Sequence, residues 1–236
     1  MTAEMLQGSP WIDRNWMFFA PLVALPCLWR AFHFKVTSVQ FLAWALLPIY
    51  TLHQFEENAY DVFGQRYAFA DYFNGNPLGV RFPPRVVTVL NMTVAWIGFP
   101  IAAWRLEALR HDLAASFAWA YATFNGVFGH LLPSLLKGYN PGSAQSLLMV
   151  PIGVYFLRKI KRKNKQHGIW VMVASVMYAG PFGHGLGLLV PIKLFNKGRV
   201  NEVVFTIWML FIAVLPVLLA QGFALAERQA TKVGVN

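Results

Sequence analysis

The sequence predicts an all-α, polytopic transmembrane helix bundle of about seven spans, and three observations predict it. The chain is 57% hydrophobic and 16% aromatic but only 13% charged, whereas a soluble domain carries roughly a quarter charged residues. Mean hydropathy is +0.46, which leaves too few polar side chains to clothe a water-facing surface, so most of the exterior is expected to face lipid. Apolar stretches close to the roughly 20 residues that bilayer thickness demands recur seven times along the 236 residues. A disordered chain and a single anchor are both excluded.

The stretches run over residues 16–32, 36–59, 86–106, 113–136, 143–157, 168–194 and 203–226, the first and fifth being the shortest. Brief connections make consecutive helices antiparallel neighbours, so residues 1–236 read as one integral membrane domain. The long connection at 61–84 is different. It mixes Phe63, Tyr67, Phe69, Tyr72, Phe73 and Phe82 with Arg66, Asp71 and Arg81, a composition that favours the headgroup layer and predicts an interfacial cap over one mouth of the bundle. Asn74-Gly75-Asn76-Pro77 within it reads as a turn. The start, Met1-Thr2-Ala3-Glu4-Met5, lacks the basic region of a secretory signal, so the first apolar segment is expected to be retained. A single cysteine, Cys27, excludes an intrachain disulfide.

Twenty Lys and Arg stand against ten Asp and Glu. In a soluble protein this would suggest nucleic acid; here a bilayer is the simpler account, with membrane lipids as the partners and no nucleic acid. The densest run, Arg158-Lys159-Ile160-Lys161-Arg162-Lys163-Asn164-Lys165, lies between two apolar stretches as a cytoplasmic loop should. With that loop in the cytoplasm, twelve basic residues fall on its side and eight on the other.

Nearly all acidic residues lie in loops or tails, which makes Glu56 and Glu57 at the end of the second stretch informative. An acidic group within a span costs about 2.5 kcal/mol or more near the centre, so something must offset it. In a helix His53 shares a face with the residues three and four further on. His130 and His184 sit in the fourth and sixth stretches at about the same depth as His53, roughly 25 Å from the helix starts at 1.5 Å per residue. The second, fourth and sixth helices run in the same direction, so the three imidazoles are expected at one level near the non-cytoplasmic face. His33, His111 and His167 fall in loops at the opposite face.

Three imidazoles and two carboxylates at one depth are the ingredients of a divalent metal site, with zinc expected and iron the alternative. The expected ligands are His53, Glu57, His130 and His184, with Glu56 placed to take a proton from a metal-activated water, much as in an inverted zinc motif whose second histidine is replaced by Glu57. The structural alternative is a buried His/Glu pair capped by Arg66 or Arg85. Gly180-Pro181-Phe182-Gly183-His184-Gly185-Leu186-Gly187 cannot remain a regular helix, and irregular backbone at membrane depth is tolerated where it lines a cavity or packs in protein. Tyr139, in the turn after the fourth stretch, is a candidate donor to a developing oxyanion. Asn125 lies about 140° round an α-helix from His130 and is not expected to act with it.

His53-Gln54-Phe55-Glu56-Glu57 resembles the signature of the HXXEE-domain family, predicted bacterial integral membrane proteins of undetermined function. The family also carries N-A-x-x-H and G-x-x-x-Y-[PN]-P-G elements. Gly126-Val127-Phe128-Gly129-His130 keeps the histidine of the first but has Gly126 where asparagine is expected, Asn125 being displaced by one. Tyr139-Asn140-Pro141-Gly142 fits the end of the second, with Leu135 in place of its leading glycine. The resemblance covers about 46–142 and implies a bacterial cytoplasmic membrane location; it supplies no substrate.

The expected function is a metal-dependent membrane hydrolase in which activated water attacks an ester or amide of a lipid-like or membrane-embedded substrate. An iron-dependent lipid oxidase or desaturase competes, but di-iron bundles draw on four carboxylates and paired Glu-x-x-His motifs that this chain lacks. A non-enzymatic metal or proton carrier or sensor using the same residues is the third class. No acidic residue continues its path toward the cytoplasm.

Overall fold

The computed structural model describes residues 8–66, 69, 80–109, 112–163 and 168–233. Among these the chain forms seven helical rods: α1 (11–31), α2 (Val39–Asn58), α3 (84–109), α4 (113–137), α5 (Ser143–Lys163), α6 (Gly168–Asn196) and α7 (Glu202–Val233). Each apolar stretch of the sequence falls on one rod. Three of them, over Pro84–Ala108, Gly168–Asn196 and Glu202–Leu225, are long and apolar enough to cross a membrane.

The first half of α4 is the axis of the assembly. Every residue from Leu113 to Ala122 is buried, and the alternation of Ala and Ser with Phe117, Trp119 and Tyr121 lets the flanking backbones approach closely while the rings fill the gaps. α2, α3, α5, α6 and α7 all pack against it. Trp119 donates its indole N–H to the Leu42 carbonyl of α2 at 3.0 Å and stacks on Phe156 of α5. The outside is apolar instead of charged: Leu22, Leu147, Trp170 and Val203 are each 65–73% exposed.

Ion pairs gather at the two ends. At one, Arg30 holds Glu107, whose carboxylate also accepts from the Trp44 indole at 2.8 Å, and Lys163 meets Asp112 at 3.0 Å. At the other, Arg85 lies 3.2 Å from both Asp13 and Glu202, tying α1, α3 and α7 together. The 61–84 connection starts with an Asp61 turn whose carboxylate accepts the N–H groups of Phe63 and Gln65, and its Phe69 and Phe82 rings meet at 6.1 Å. The rest of the expected cap, with Tyr67, Asp71, Tyr72, Phe73 and the Asn74–Pro77 turn, lies outside the described residues. So do Arg110, His111, His167 and the end of the basic run, Asn164 and Lys165.

At three prolines a side chain reaches the carbonyl four residues earlier. A proline removes the N–H that an α-helix aims at the carbonyl four residues earlier, and in apolar surroundings that carbonyl needs another donor. Pro133 leaves Gly129, and Asn140 Nδ2 donates to it at 2.7 Å. Pro191 leaves Gly187, and the Trp208 indole of α7 donates at 3.0 Å. Pro216 leaves Ile212, and the Tyr178 hydroxyl of α6 reaches it at 3.4 Å. Three interhelical or loop contacts thus fall on carbonyls that stand four residues before a proline. Segments of π-helix interrupt three rods, at Asn91–Gly98 in α3, Asn125–Leu131 in α4 and Tyr178–Leu189 in α6. Trp208→Phe keeps the ring but strands the Gly187 carbonyl, so thermal or denaturant unfolding in detergent is expected to show a loss of about 1–3 kcal/mol.

Candidate metal centre

α2 delivers its last two turns to the end of the bundle where α4 and the 138–142 turn meet. His53, Glu57 and His130 are all buried there and bring one ligand atom each within 4.8 Å of the others. Glu57 Oε1 lies 3.4 Å from His53 Nε2 and 3.0 Å from His130 Nε2. The imidazoles meet edge to face with centroids 4.5 Å apart.

The tautomers follow from the outer contacts. His53 Nδ1 is 3.0 Å from the Gly142 carbonyl and His130 Nδ1 is 2.7 Å from the Pro141 carbonyl. A carbonyl oxygen has no hydrogen, so each Nδ1 must be the donor, and in a neutral ring each Nε2 then carries a bare lone pair. Asn140 Oδ1 stands 3.3 Å from His130 Nδ1 as a second acceptor, and Ser146 Oγ, itself bonded to the Gly142 carbonyl, stands 3.5 Å from His53 Nδ1. Two lone pairs and a carboxylate oxygen therefore converge on one point. Such a set calls for a cation between its members, either protons or a metal ion, and a histidine ligand that donates its other ring N–H to a carbonyl is the usual support of a metal site. Neither arginine proposed as a cap fills this role: Arg66 bonds the Arg14 carbonyl and Asn15, while Arg85 is held by Asp13 and Glu202.

The turn works only because residue 142 is glycine. Its φ is +94°, and a Cβ there would lie 2.7 Å from His130 Nδ1 and 2.8 Å from His53 Cε1, inside both rings' contact distance. Backbone conformation and space impose the same residue.

Glu56 points away from its neighbour's partners. Oε1 accepts from the Tyr139 hydroxyl at 3.0 Å and the Ala144 N–H at 3.1 Å, and Oε2 accepts from the Gln145 N–H at 2.8 Å. A carboxylate on the free amides of a helix N-terminus is well placed electrostatically, and this one ties α2 to the start of α5. Burial, with the Glu56 carboxylate adding to it, pushes the Tyr139 phenol above the ordinary tyrosine range, so it stays a donor at neutral and mildly alkaline pH. Tyr139 thereby braces Glu56.

His184 does not join the other two histidines. Its ring stacks on Tyr121 with centroids 4.1 Å apart and leans on Phe124, and its Nδ1 is 2.6 Å from the Ala179 carbonyl within α6. Of the four expected ligands the structure brings His53, Glu57 and His130 together, and His184 lies across a cavity. The irregularity expected around it takes the form of the Tyr178–Leu189 π-segment.

Asn125 corrects the helical-wheel argument. Its Nδ2 is 3.1 Å from His53 Nε2 and 3.5 Å from His130 Nε2. The 140° separation holds for an α-helix, but Asn125–Leu131 is π-helical, and its i to i+5 hydrogen bonding sets residue 130 over residue 125. Gly129 leaves room for the amide, since a Cβ there would fall 2.9 Å from Asn125 Oδ1. The asparagine displaced by one position in sequence is thus returned to the histidines. The Asn140 side chain and the Pro141 and Gly142 carbonyls were not singled out from sequence; the Tyr-Asn-Pro-Gly turn was the available signal, but carbonyl ligation of histidine leaves no side-chain signature.

Beside the centre lies a cavity of about 250 Å³ between α2, α3, α4 and α6. Glu57, Asn125 and His184 line it together with mostly aromatic and aliphatic side chains; Glu56 and Tyr139 do not.

A model of a family described as proteins of unknown function with an HXXEE motif matches residues 44–156. That span contains His53, Glu57, Asn125, His130 and the 139–142 turn and excludes His184. No curated protein and no solved structure matches the chain.

Gly142→Ala is expected to weaken metal affinity by tenfold or more, as loss of outer-shell support does, while Gly138→Ala, whose glycine has nothing within 4 Å of an added Cβ, serves as the backbone control because it too has a positive φ. Titration of purified protein with zinc and elemental analysis measure both.

Proposed function

We propose, from the HXXEE-family match over residues 44–156 and the centre it encloses, that the protein is a metal-dependent hydrolase of the membrane acting on an ester or amide of a lipid-like substrate. The observation that carries this reading is the pair of Nε2 lone pairs, each fixed by an Nδ1–H to a turn carbonyl, converging with Glu57 Oε1 beside the Asn125 amide. Two histidines and one glutamate are a ligand set used by catalytic zinc, with a fourth position for water or substrate. A divalent ion held there would lower the pKa of water and polarise a carbonyl.

The chain's own residues supply the rest. His53, Glu57 and His130 would hold the ion, and Glu57, the one of the three that lines the cavity, marks where a substrate carbonyl must come. The Asn125 amide, on the cavity side of both imidazoles, is placed to donate to the oxygen on which negative charge develops. For proton transfer we assign Glu57, whose Oε2 among the described residues meets a 3.4 Å contact from Asn58, in place of Glu56, whose two oxygens are engaged by α5 and Tyr139. Glu56 and Tyr139 are positioning residues. The apolar cavity excludes bulk water and favours a substrate delivered from the bilayer.

The membrane setting rests on the three apolar helices and on the exposed apolar exterior. We read all seven rods as crossing or entering the bilayer, in a bacterial cytoplasmic membrane, with the Arg158–Lys163 end in the cytoplasm and the centre near the opposite face.

Elemental analysis of purified protein is expected to find about one zinc per chain, lost in His53→Ala. Hydrolysis of a medium-chain nitrophenyl ester in nanodiscs is expected to fall at least a hundredfold in Glu57→Gln, on the scale of lost acid–base catalysis, and to stay within a few fold in Glu56→Gln, which instead lowers unfolding stability by about 1–3 kcal/mol. Metal-free wild type, or Glu57→Gln as active as wild type, overturns the proposal. Two irons per chain would favour the oxidase.

A further inference from the structure

We infer that the cavity beside the centre receives an apolar molecule bearing a hydroxyl group, and that His184 Nε2 is the acceptor for that hydroxyl. The inference deepens the hydrolase reading, resting on the cavity as the substrate's place, and adds a second recognition point far from the scissile bond.

The argument begins with the tautomer of His184. Nδ1 lies 2.6 Å from the Ala179 carbonyl, so it is the N–H donor. Nε2, on the other side of the ring, is then an acceptor. It is buried and has no hydrogen-bond partner among the described residues. A buried acceptor left unsatisfied costs about as much as a lost hydrogen bond, which is why such groups are rare and call for an explanation.

Among the described residues the ring's surroundings offer none. Tyr121 and Phe124 lie against its faces, and the cavity it borders is otherwise lined by groups such as Phe69, Val94, Phe128 and Leu188. The other polar side chains on the wall are Glu57 and Asn125 at the metal centre, Tyr50, whose hydroxyl meets the Asn125 amide, Asn91, which is engaged by Gln54 and the Val87 carbonyl, and Tyr121, which stacks on His184. Among the described residues His184 Nε2 is thus the acceptor on this wall left without a partner, set apart from the centre on a wall that is mostly aromatic and aliphatic. Because Nε2 accepts, the ligand group there must donate, and a hydroxyl is the smallest neutral group that does so. A cavity of about 250 Å³ is larger than the 150 Å³ void that takes benzene and below the usual range for drug-sized ligands, which suits a compact apolar alcohol or a short hydroxylated chain.

The pair menthol and menthone tests this, since the two share a skeleton but only menthol has a donor. Binding is measured by calorimetry on the full chain in nanodiscs. Wild type is expected to prefer menthol by about tenfold, the worth of one satisfied buried acceptor. His184→Leu is expected to abolish the preference with menthone affinity unchanged, and His184→Gln, which keeps an acceptor, to retain it. Equal binding of the two by wild type, no binding of either, or a preference that survives in His184→Leu overturns the inference. Metal content separates this from the hydrolase reading. His184→Leu is expected to keep its ion, and His53→Ala to lose it while still preferring menthol, so an ion-free wild type that prefers menthol sinks the hydrolase alone.

Discussion

Two imidazoles buried in an apolar bundle each have two nitrogens to satisfy, and the way this chain satisfies them organises the whole end of the molecule. The carbonyls of Pro141 and Gly142 take one N–H from each ring, which obliges both remaining nitrogens to face inward at Glu57. α2, α4 and the entry to α5 are thereby fixed to one another through a single turn. Glu56 adds a second tie between α2 and α5 a few ångströms away. The adjacent acidic residues divide the labour: one supports the helix junction and the other supplies charge to the centre.

The irregular helix segments belong to the same arrangement. All three π-segments contribute to the cavity wall, through Asn91, Val94 and Ala95 in α3, Asn125, Phe128 and Gly129 in α4, and His184, Leu188 and Leu189 in α6. Wider turns leave backbone spacing that regular helices would close, and π-segments commonly occur at functional sites. The proline-freed carbonyls of Gly129 and Gly187 lie in two of these segments, and each is met by a side chain from elsewhere. Local backbone departures and long-range contacts therefore arise together from a few prolines and glycines.

Much of this was legible in the sequence because burying charge is expensive. Glu56 and Glu57 in an apolar stretch demanded partners, and helical spacing supplied His53 while matched depth supplied His130. The seven apolar stretches gave the rods. Depth alone, however, does not fix rotation about a helix axis, and His184 at the right level faces Tyr121 and the cavity. Asn125 failed the opposite way, because an angle computed for 3.6 residues per turn does not apply across Asn125–Leu131. The role of the Pro141 and Gly142 carbonyls was invisible because main-chain oxygens are the same at every residue, although the glycine itself, at φ +94°, marks a turn that only a residue without a side chain makes easily.

The π-segment in α4 also acts as a register buffer. Upstream, the helix from Leu113 to Ala122 is packed on all sides; downstream, Pro133 and the turn are pinned by Asn140. Between two such fixed flanks, one surplus residue can be taken up as a bulge and spread over a single widened turn. A chain built this way tolerates a length change inside a buried helix, the kind of event that ordinarily rotates everything beyond it out of place. One position away from where the family motif has its asparagine, the Asn125 amide still lies 3.1 Å from His53 Nε2.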